Sequence, residues 1–211
     1  MPPGPQDEAA LFAGLTSPKA RELAMAGVEC FAEKGFYGTT TRDIANRVDL
    51  SPAAVYVHFP SKAELLYTIS AAGHEDALRA LKGAAAAEED PLRRIEAMVS
   101  AFAAWHARNH RLARVVQYEL HALPEPRREE IGALRRRFRE QFEAAIDAGT
   151  KAGLLVVPDP AGATLAILSL CIDIARWYSP TGPRSPQQLG DLFGGLMMQM
   201  LKGGTAPSEG S

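Results

Sequence analysis

Apolar side chains recur at intervals of three and four residues along almost the whole chain, which is the spacing of one face of an α-helix. In the segment that follows Ser17, for example, Leu23, Val28 and Phe31 fall on one face. No segment alternates between apolar and polar residues for long enough to predict a strand. The pattern therefore predicts an all-α fold.

Capping side chains mark where each predicted helix begins, because an oxygen at the N-cap accepts an unpaired amide hydrogen and proline fits the first helical turn. These signals predict nine helices. The first three begin at Ser17-Pro18, Thr40 and Ser51-Pro52 and end at Gly35, Val48 and His58. The fourth runs from a capping box of Ser61 and Glu64 to Lys82. The last five begin near Asp90-Pro91, Arg111, Arg127, Ala161 and Ser185-Pro186.

Length and composition restrict the class of protein. At 211 residues the chain can bury a core, and 46% hydrophobic with 23% charged residues is typical of a globular protein. Proline and glycine at the start, and small polar residues at the end, predict disordered tails over 1–16 and 204–211. Three short helices followed by six longer ones predict a small domain over 17–66 and a larger one over 67–203.

Net charge and cysteine content exclude several kinds of site. The formal net charge is −2, so any DNA binding must come from a few well-placed groups rather than from a general positive field. Cys30 and Cys171 are too few for a disulfide framework or a four-thiolate zinc site. The chain has no signal-like start and no run of about 18 uninterrupted apolar residues, which predicts a cytoplasmic protein without a membrane partner.

The second and third predicted helices are separated only by Asp49 and Leu50, so they must cross at a large angle as a helix-turn-helix. In that motif the second helix enters the DNA major groove with its N-terminus. Small side chains there let the backbone approach the base edges, and a methyl group can contact thymine. The residues predicted to reach the bases are Ser51, Pro52, Ala53 and Ala54. Those predicted to contact phosphates are Thr41, Arg42, Tyr56, His58 and Lys62.

The same residues, in the same order, resemble the DNA-binding domain of TetR-family transcriptional regulators. The similarity covers about residues 17 to 66 and rests on GFYGTTTRDIA from Gly35 to Ala45, then Ser51, Tyr56, Phe59, Ser61-Lys62 and Glu64-Leu65-Leu66. Ala54 departs from the glycine that many members have. The resemblance implies a nine-helix fold, a homodimer formed by the eighth and ninth helices, operator DNA as partner, and repression relieved by a small effector bound in the larger domain.

A helical adaptor or structural dimer is the competing function, since residues 17–66 hold six Lys and Arg against six Asp and Glu and so are not basic overall. Tyr56 and His58 have core packing as their alternative role. The spacing of the whole motif favours DNA binding. An enzyme is not predicted, because the sequence has no glycine-rich phosphate loop, no nucleophile elbow and no paired carboxylates near a histidine.

The eighth predicted helix is apolar on nearly all sides, and the ninth carries an apolar stripe too wide for one neighbour. Together they predict a two-fold, four-helix interface between two copies, with Gly194-Gly195 permitting close approach of a helix. A buried hairpin within one subunit is the alternative. The residues predicted at the interface are Leu168, Ile172, Leu189, Leu192, Phe193, Leu196 and Met200.

A small-molecule site needs apolar walls with a few polar groups, and the fifth to eighth helices supply candidates. These are Phe102, Trp105, Gln117, Tyr118, Phe138, Phe142, Arg176 and Trp177. Core packing is the alternative role of each, and Arg176 has an ion pair with Asp173 as its alternative. From Arg176 to Gly190 the chain is similar to a TetR subgroup that represses lipid, steroid and aromatic-acid catabolism and responds to acyl-coenzyme A thioesters. An aromatic or drug-like effector, controlling efflux or catabolism, stays open.

Two further patterns have a simpler interpretation than a site. The run Arg135, Arg136, Arg137 and Arg139 could meet coenzyme A phosphates, but a solvated helix face is favoured. His106 and His110 have the spacing of a metal-binding pair, but no third ligand is near in sequence, so we predict neither a metal nor a cofactor. We expect an effector among the fifth to eighth helices to move the fourth, and the DNA-binding module with it.

Overall fold

The computed structural model describes residues 11–203, and within that range every regular element is helical. It contains nine α-helices and one turn of 3-10 helix, Leu120–Ala122, so the predicted all-α fold and helix number are confirmed there. In chain order the α-helices are α1 (Pro18–Gly38), α2 (Thr41–Asn46), α3 (Pro52–His58), α4 (Lys62–Ala86), α5 (Pro91–Arg108), α6 (His110–Tyr118), α7 (Glu125–Lys151), α8 (Pro160–Trp177) and α9 (Pro186–Lys202).

The described residues form two compact units. The first unit holds residues 11–76 and Asn109–Leu134, which are α1 to α3, the N-terminal part of α4 up to Asp76, α6 and the start of α7. The second unit holds Ala77–Arg108 and residues 135–203, which are the rest of α4 and α7 together with α5, α8 and α9. The chain therefore passes from one unit to the other within α4 and within α7, and between α5 and α6.

The core of the first unit is apolar and closely packed. Leu23, Ile44 and Leu65 are fully buried there. Gly27 of α1 lies directly against Leu65 and Ile69 of α4, where an added methyl group would crowd both side chains. The helical period of apolar positions thus places α1, α2 and α4 around one core.

The predicted N-terminal tail differs from the structure over its last residues. Residues 1–10 and 204–211 lie outside the described range, so the predictions for them stay predictions. Within residues 11–16, however, Phe12 is only 2% exposed, and the Leu15 N–H donates to the Phe12 carbonyl oxygen at 2.9 Å. Burial of one aromatic ring supplies apolar contact area that the composition of this segment did not suggest.

The boundary predicted at Gly35 coincides with a break in the helical backbone of α1. α1 continues to Gly38, and Gly35 itself has φ 70° and ψ 169°. Glycine adopts this conformation readily because it has no Cβ atom. The turn over residues 35–39 leads from this kink into α2, and we call it the clasped turn.

The predicted capping box at the start of α4 is only half formed. The Glu64 N–H donates to Ser61 Oγ at 3.1 Å, but the Glu64 carboxylate turns to α7. There Arg127 donates from Nε to Oε1 and from Nη2 to Oε2, both at 3.0 Å, and its guanidinium lies 4.1 Å from the centroid of the Tyr67 ring. In a full capping box the Glu64 carboxylate would accept from the Ser61 N–H. The two-pronged ion pair with Arg127 of α7 takes the place of that bond and satisfies both carboxylate oxygens.

The second unit is built on a close contact between α5 and α9. Gly190 and Gly194 lie against α5 at Ser100 and Glu96, so closely that a methyl group would collide with the Ser100 carbonyl oxygen at Gly190 and with the Ser100 hydroxyl at Gly194. The sequence analysis assigned this role to Gly194-Gly195 and to another copy of the chain. Gly194 instead meets α5 of the same chain, because Gly190 and Gly194 share the i, i+4 face of α9, while Gly195 has open space beside it and its predicted role stays a prediction.

Candidate nucleic-acid interface

The N-terminus of α2 is held by a complete capping box, at the start that the sequence predicts for this helix. Thr40 Oγ1 accepts from the Asp43 N–H at 3.1 Å, and Asp43 Oδ2 accepts from the Thr40 N–H at 2.8 Å. Lys34 donates to the other carboxylate oxygen at 2.8 Å. These donors hold the pKa of the Asp43 carboxyl well below its usual value. The hydrogen bond from Lys34 has the largest effect, and those from Thr40 follow. The first turn of α2, with Thr41 and Arg42, is therefore fixed in direction.

The turn between α2 and α3 has the tight geometry that a helix-turn-helix requires. Asp49 adopts a left-handed conformation with φ 54°, which aspartate tolerates better than most residues. The Leu50 N–H then donates back to the Ala45 carbonyl oxygen at 3.0 Å. The chain thus reverses within a few residues, and α3 packs against α2.

α3 has one face in the core and one in solvent. Val55 is fully buried and Phe59, directly after the helix, is 4% exposed, so these two side chains anchor it. On the other side Ser51 and Ala53 are exposed, and Pro52 and Ala54 are half-buried. The Ser51 side chain makes no capping hydrogen bond, which leaves its hydroxyl available to a ligand. The four residues predicted to reach DNA bases therefore lie at an accessible helix tip.

The flanking residues predicted to contact phosphates are mostly accessible too. Tyr56 is 54% exposed, so core packing, its alternative role, does not occur in this chain. Arg42 is exposed, while Thr41 and His58 are half-buried. Within residues 11–203 Arg42 has no ion pair, whereas the nearby Arg47 and Lys34 pair with Glu33 and Asp43. Arg42 can therefore bind a DNA phosphate at this surface without first giving up a carboxylate partner.

Lys62 does not occupy the position that the sequence analysis assigned to it. Its ammonium donates to the carbonyl oxygens of Phe36 and Thr39, both at 2.6 Å, and lies 4.2 Å from the centroid of the Phe36 ring. Burial lowers the pKa of this amine. The prediction of a phosphate contact was wrong for this residue in the free protein, because its ammonium is hydrogen-bonded to two carbonyl oxygens of the clasped turn.

Val57 was missed by sequence reasoning. It is 80% exposed, the largest exposure among the exposed large apolar side chains of the described residues. Its position two residues after the buried Val55 is the available signal, since residues two apart lie on nearly opposite sides of a helix. The exposed Val57 side chain, next to Tyr56 in sequence, adds an apolar group to the accessible face of α3.

Four of the candidate effector residues come together in the second unit. Phe102 of α5 lies 5.2 Å from Phe138 and 6.0 Å from Phe142 of α7, measured between ring centroids, and all three rings are buried. Trp105 is also buried and joins them through His106, whose ring is 4.4 Å from Phe102 and 5.1 Å from Trp105. The second unit thus has a buried aromatic cluster with one imidazole in it.

The other effector candidates are not part of that cluster. Gln117 and Tyr118 are exposed side chains of α6 in the first unit. Arg176 makes a two-pronged ion pair with Asp173, at 2.7 and 2.8 Å, which is the alternative that the sequence analysis gave for it. Trp177 is 45% exposed at the end of α8. The arginine run is exposed at all four positions: Arg135, Arg136, Arg137 and Arg139.

His106 is better explained by packing than by metal binding. Its Nδ1 lies 2.8 Å from the Phe102 carbonyl oxygen, so that nitrogen is committed to the backbone of its own helix. No group of three or more His, Cys, Asp or Glu side chains within residues 11–203 has the arrangement of a metal site. Both cysteines, Cys30 and Cys171, are buried thiols.

The residues predicted at a dimer interface divide into two groups. Leu192, Leu196 and Met200 of α9 are 38%, 47% and 40% exposed, and Leu168, Ile172 and Phe193 are half-buried. Leu189 is 3% exposed. The prediction was wrong for Leu189, because it lies one residue from Gly190, on the side of α9 that packs closely on α5.

α8 has large apolar side chains that are exposed in a single chain. It is the one helix among the described residues that is long and apolar enough to cross a membrane, by length and composition alone, and 28% of it is buried. Leu165 and Leu170 are 63% and 46% exposed on it. The exposed apolar residues of α8 and α9 form what we call the apolar face of the second unit.

Two family models match the chain. Residues 24–68 match the N-terminal model described as bacterial regulatory proteins, tetR family. Residues 88–201 match a model described as tetracyclin repressor-like, C-terminal domain. The first match includes all nine residues predicted to contact DNA, and the second spans more than half of the chain.

Similar proteins have the same fold. A bacterial regulatory protein in the tetR family from Rhodococcus RHA1 is 39% identical, with a TM-score of 0.83 over 88% of this chain and 98% of that one. The HTH-type transcriptional repressor KstR2 of Rhodococcus jostii (strain RHA1) is 27% identical over 184 residues, covering 86% of this chain and 88% of the relative. AibR, solved in complex with isovaleryl coenzyme A and operator DNA, is 21% identical, with a TM-score of 0.77 over 87% of this chain and 98% of that one.

Proposed function

Because this chain belongs to the tetR family of bacterial regulatory proteins, we propose that it is a homodimeric repressor, acting in the cytoplasm, that leaves its operator when a small hydrophobic effector binds. One observation carries the operator-binding half of this proposal. The small-residue tip of α3 is accessible, while Val55 and Phe59 anchor the opposite face of the same helix in the core.

In the proposed complex the two kinds of DNA contact come from different residues. Ala53, Ala54 and Val57 contact base edges and thymine methyl groups in the major groove, with Ser51 free to hydrogen-bond. Thr41, Arg42, Tyr56 and His58 contact phosphates and set the register. Because few cations take part in each protomer, the affinity should depend only modestly on salt concentration, and two protomers are needed for useful affinity.

A second copy of the chain is the proposed cover for the apolar face of the second unit. Leu165, Leu192, Leu196 and Met200 lie on that face and expose more than a third of their surface. An isologous two-fold interface buries such a face on both copies at once. The ion pair of Asp173 with Arg176 lies on the same helix, which favours an aqueous protein partner over lipid.

Replacement of Leu196 by glutamate tests this interface. A charge in the centre of the proposed interface should convert the dimer to a monomer in sedimentation at micromolar concentration, with helical circular dichroism unchanged. Leu154→Glu is the matched control, since Leu154 is 45% exposed in the same unit but lies outside α8 and α9. A monomeric wild-type chain, or a dimer that survives Leu196→Glu, contradicts the proposal.

The proposed effector is an acyl-coenzyme A thioester. Two observations support this class: the buried aromatic cluster of Phe102, Phe138 and Phe142 can surround an acyl chain, and a protein of the same fold, AibR, was solved with isovaleryl coenzyme A. Native mass spectrometry of the purified protein, with isovaleryl, octanoyl and steroid-side-chain thioesters against free coenzyme A, tests it. Binding of an uncharged aromatic compound in place of every thioester would favour the alternative effector class.

The proposed release mechanism is a shift between two populations. Two recognition helices must lie one DNA turn apart, about 34–36 Å, to meet successive major grooves. An effector releases the operator only to the extent that it binds the protein more tightly in a form with another spacing. Effector and operator should therefore weaken each other's binding by the same factor, which titration in either order measures.

A gel shift with DNA from upstream of the protein's own coding region tests operator binding directly. We expect the wild-type protein to shift this DNA, and Arg42→Ala and Tyr56→Ala each to weaken binding about tenfold or more, since each removes a phosphate contact in both protomers. Arg136→Ala is the control, because this exposed arginine lies outside the interface. Failure of the wild-type protein to shift any DNA would favour the helical adaptor, and binding by Arg42→Ala and Tyr56→Ala equal to that of Arg136→Ala would contradict the two phosphate contacts.

A further inference from the structure

The backbone of Phe36, in the clasped turn, is held from two sides by oppositely charged groups. Its N–H donates to Glu119 Oε2 at 2.9 Å, and its carbonyl oxygen accepts from the Lys62 ammonium at 2.6 Å. The Glu119 carboxylate also lies beside Gly35, where an added Cβ atom would be 3.4 Å from Oε1. One peptide segment therefore joins the end of α6 to the start of α4.

Glu119 reaches this position because it directly follows the last turn of α6. It caps the C-terminus of α6, with its own N–H donating to the Val115 carbonyl oxygen at 3.0 Å. The following 3-10 turn places the His121 ring 5.8 Å from the Tyr37 ring. The end of α6 thus contacts the clasped turn at two successive residues, Phe36 and Tyr37.

The clasped turn leads directly to the operator-contacting end of α2. Thr39 is 1% exposed, and its hydroxyl lies within hydrogen-bond distance of the carbonyl oxygens of Cys30 and Gly35, at 3.0 and 2.8 Å. The next residue, Thr40, is the N-cap of α2 and is bonded to Asp43. A segment bonded so completely moves as a body, so a displacement of Phe36 is passed on to Thr41 and Arg42.

We infer that Glu119 is a positioning residue for operator binding, through which the end of α6 sets the direction of the α2 N-terminus. The inference rests on the proposed function. It adds a second connection to the movement of α4 expected from the sequence, because Glu119 directly follows the last turn of α6 and accepts from the Phe36 N–H.

Three variants separate positioning from general stability. Glu119→Ala removes the acceptor, and Glu119→Gln keeps an acceptor oxygen without the charge. Glu29→Ala is the matched control, because Glu29 also joins α1 to α6, by an exposed ion pair with Arg111, but lies away from the clasped turn. Fluorescence anisotropy measures affinity for the operator duplex and for a scrambled duplex of the same length, and hydrogen exchange measures protection of the Phe36 amide.

We expect Glu119→Ala to weaken operator binding about tenfold, the size of effect typical for losing one hydrogen bond to a charged group. Binding to the scrambled duplex should change less than twofold, because non-specific binding depends on charge rather than on exact placement. The Phe36 amide should exchange faster, and Glu119→Gln should restore both properties. Glu29→Ala should leave both unchanged.

Two results would overturn the inference while leaving the proposed function intact. One is wild-type operator affinity in Glu119→Ala with an unprotected Phe36 amide. The other is an equal loss of affinity for both duplexes, which marks loss of folded protein. If Glu119→Ala does not fold, wild-type affinity in Glu119→Gln with an unprotected Phe36 amide overturns it as well. A wild-type protein that binds no upstream duplex contradicts the proposed function itself.

Discussion

Both units bury an apolar core, but hydrogen bonds and ion pairs at helix ends also join the helices of the first unit, whereas the contacts described in the second are buried rings and close glycine contacts. In the first, Lys62 and Glu119 hold Phe36, and Arg127 holds Glu64. In the second, the ring of Phe102 packs on Phe138 and Phe142, and α9 lies against the α5 backbone through two glycines.

This difference matches the different demands on the two halves of a regulator. Hydrogen bonds are directional, so they fix the orientation of the short helices that must meet DNA groups at set positions. Apolar packing is not directional, and a cluster of rings can accommodate ligands of several shapes. We therefore expect substitutions in the two units to affect different properties of the protein, as the following predictions state in order of size.

The largest loss of stability is expected for Phe142→Ala. Phe142 is fully buried against Phe102, and removal of a buried ring leaves a cavity that typically costs about 3–5 kcal/mol. Urea unfolding followed by circular dichroism measures it. Trp177→Ala is the control, since Trp177 is 45% exposed, and a result equal to that of Phe142→Ala would contradict the assignment of the core.

A smaller loss is expected for Gly190→Ala. The new methyl group would meet the Ser100 carbonyl oxygen of α5, so α5 and α9 must separate, at a cost of about 2 kcal/mol in unfolding free energy. Gly83→Ala is the matched control in a helix, because nothing lies near its Cβ position, and alanine should there stabilise by about 0.5–1 kcal/mol. Destabilisation of both variants alike would show that the contact between α5 and α9 is not as close as described.

Lys62→Met tests a polar contact of the first unit. Methionine keeps the apolar stem beside Phe36 but leaves the carbonyl oxygens of Phe36 and Thr39 without their donor, which should lower the unfolding free energy by about 1–2 kcal/mol. Lys19→Met removes an exposed ion pair with Glu22 and should have no measurable effect. An unchanged unfolding curve for Lys62→Met would contradict a stabilising role for this contact and would favour the phosphate contact predicted from the sequence.

The smallest effect concerns acid stability. The donors from Lys34 and Thr40 hold the pKa of Asp43 below its usual value, so the unfolded chain takes up the proton first as the pH falls. The stabilisation is therefore present at neutral pH and is lost between about pH 5 and pH 3 and below. Asp43→Asn should make the melting temperature less dependent on pH in this range. Asp147→Asn, whose carboxylate lies 4.0 Å from Lys151 in the second unit, should leave the slope unchanged.

Much of the DNA-binding module could be predicted from the sequence because its signals are local. The caps at Ser17, Thr40 and Ser185 involve groups three residues apart, and the structure has all three. The left-handed residue Asp49 lies in the two-residue separation that predicts the turn. Exposure of Ala53 follows from its position two residues before the buried Val55, on the other side of α3, whereas Ser51 is the N-cap that precedes the helix.

The errors share one physical cause. The roles of Lys62, Leu189 and the Glu64 carboxylate each depend on a group far away in the sequence: the carbonyl of Phe36, the backbone of α5 and the guanidinium of Arg127. A lysine at a helix start, or a leucine in an apolar stripe, has the same local pattern whichever partner it meets. Local pattern therefore predicts that a side chain needs a partner without identifying the partner.

The order of residues alone determined the helical fold, the helix-turn-helix and the accessible tip of α3, because each follows from contacts between near neighbours along the chain. Tertiary structure alone decided that Glu119 bonds to Phe36, that Lys62 turns inward, and that α9 packs on α5 through Gly190 and Gly194. Such contacts arise between segments tens of residues apart, and which of them form is chosen by how whole helices pack rather than by any local preference.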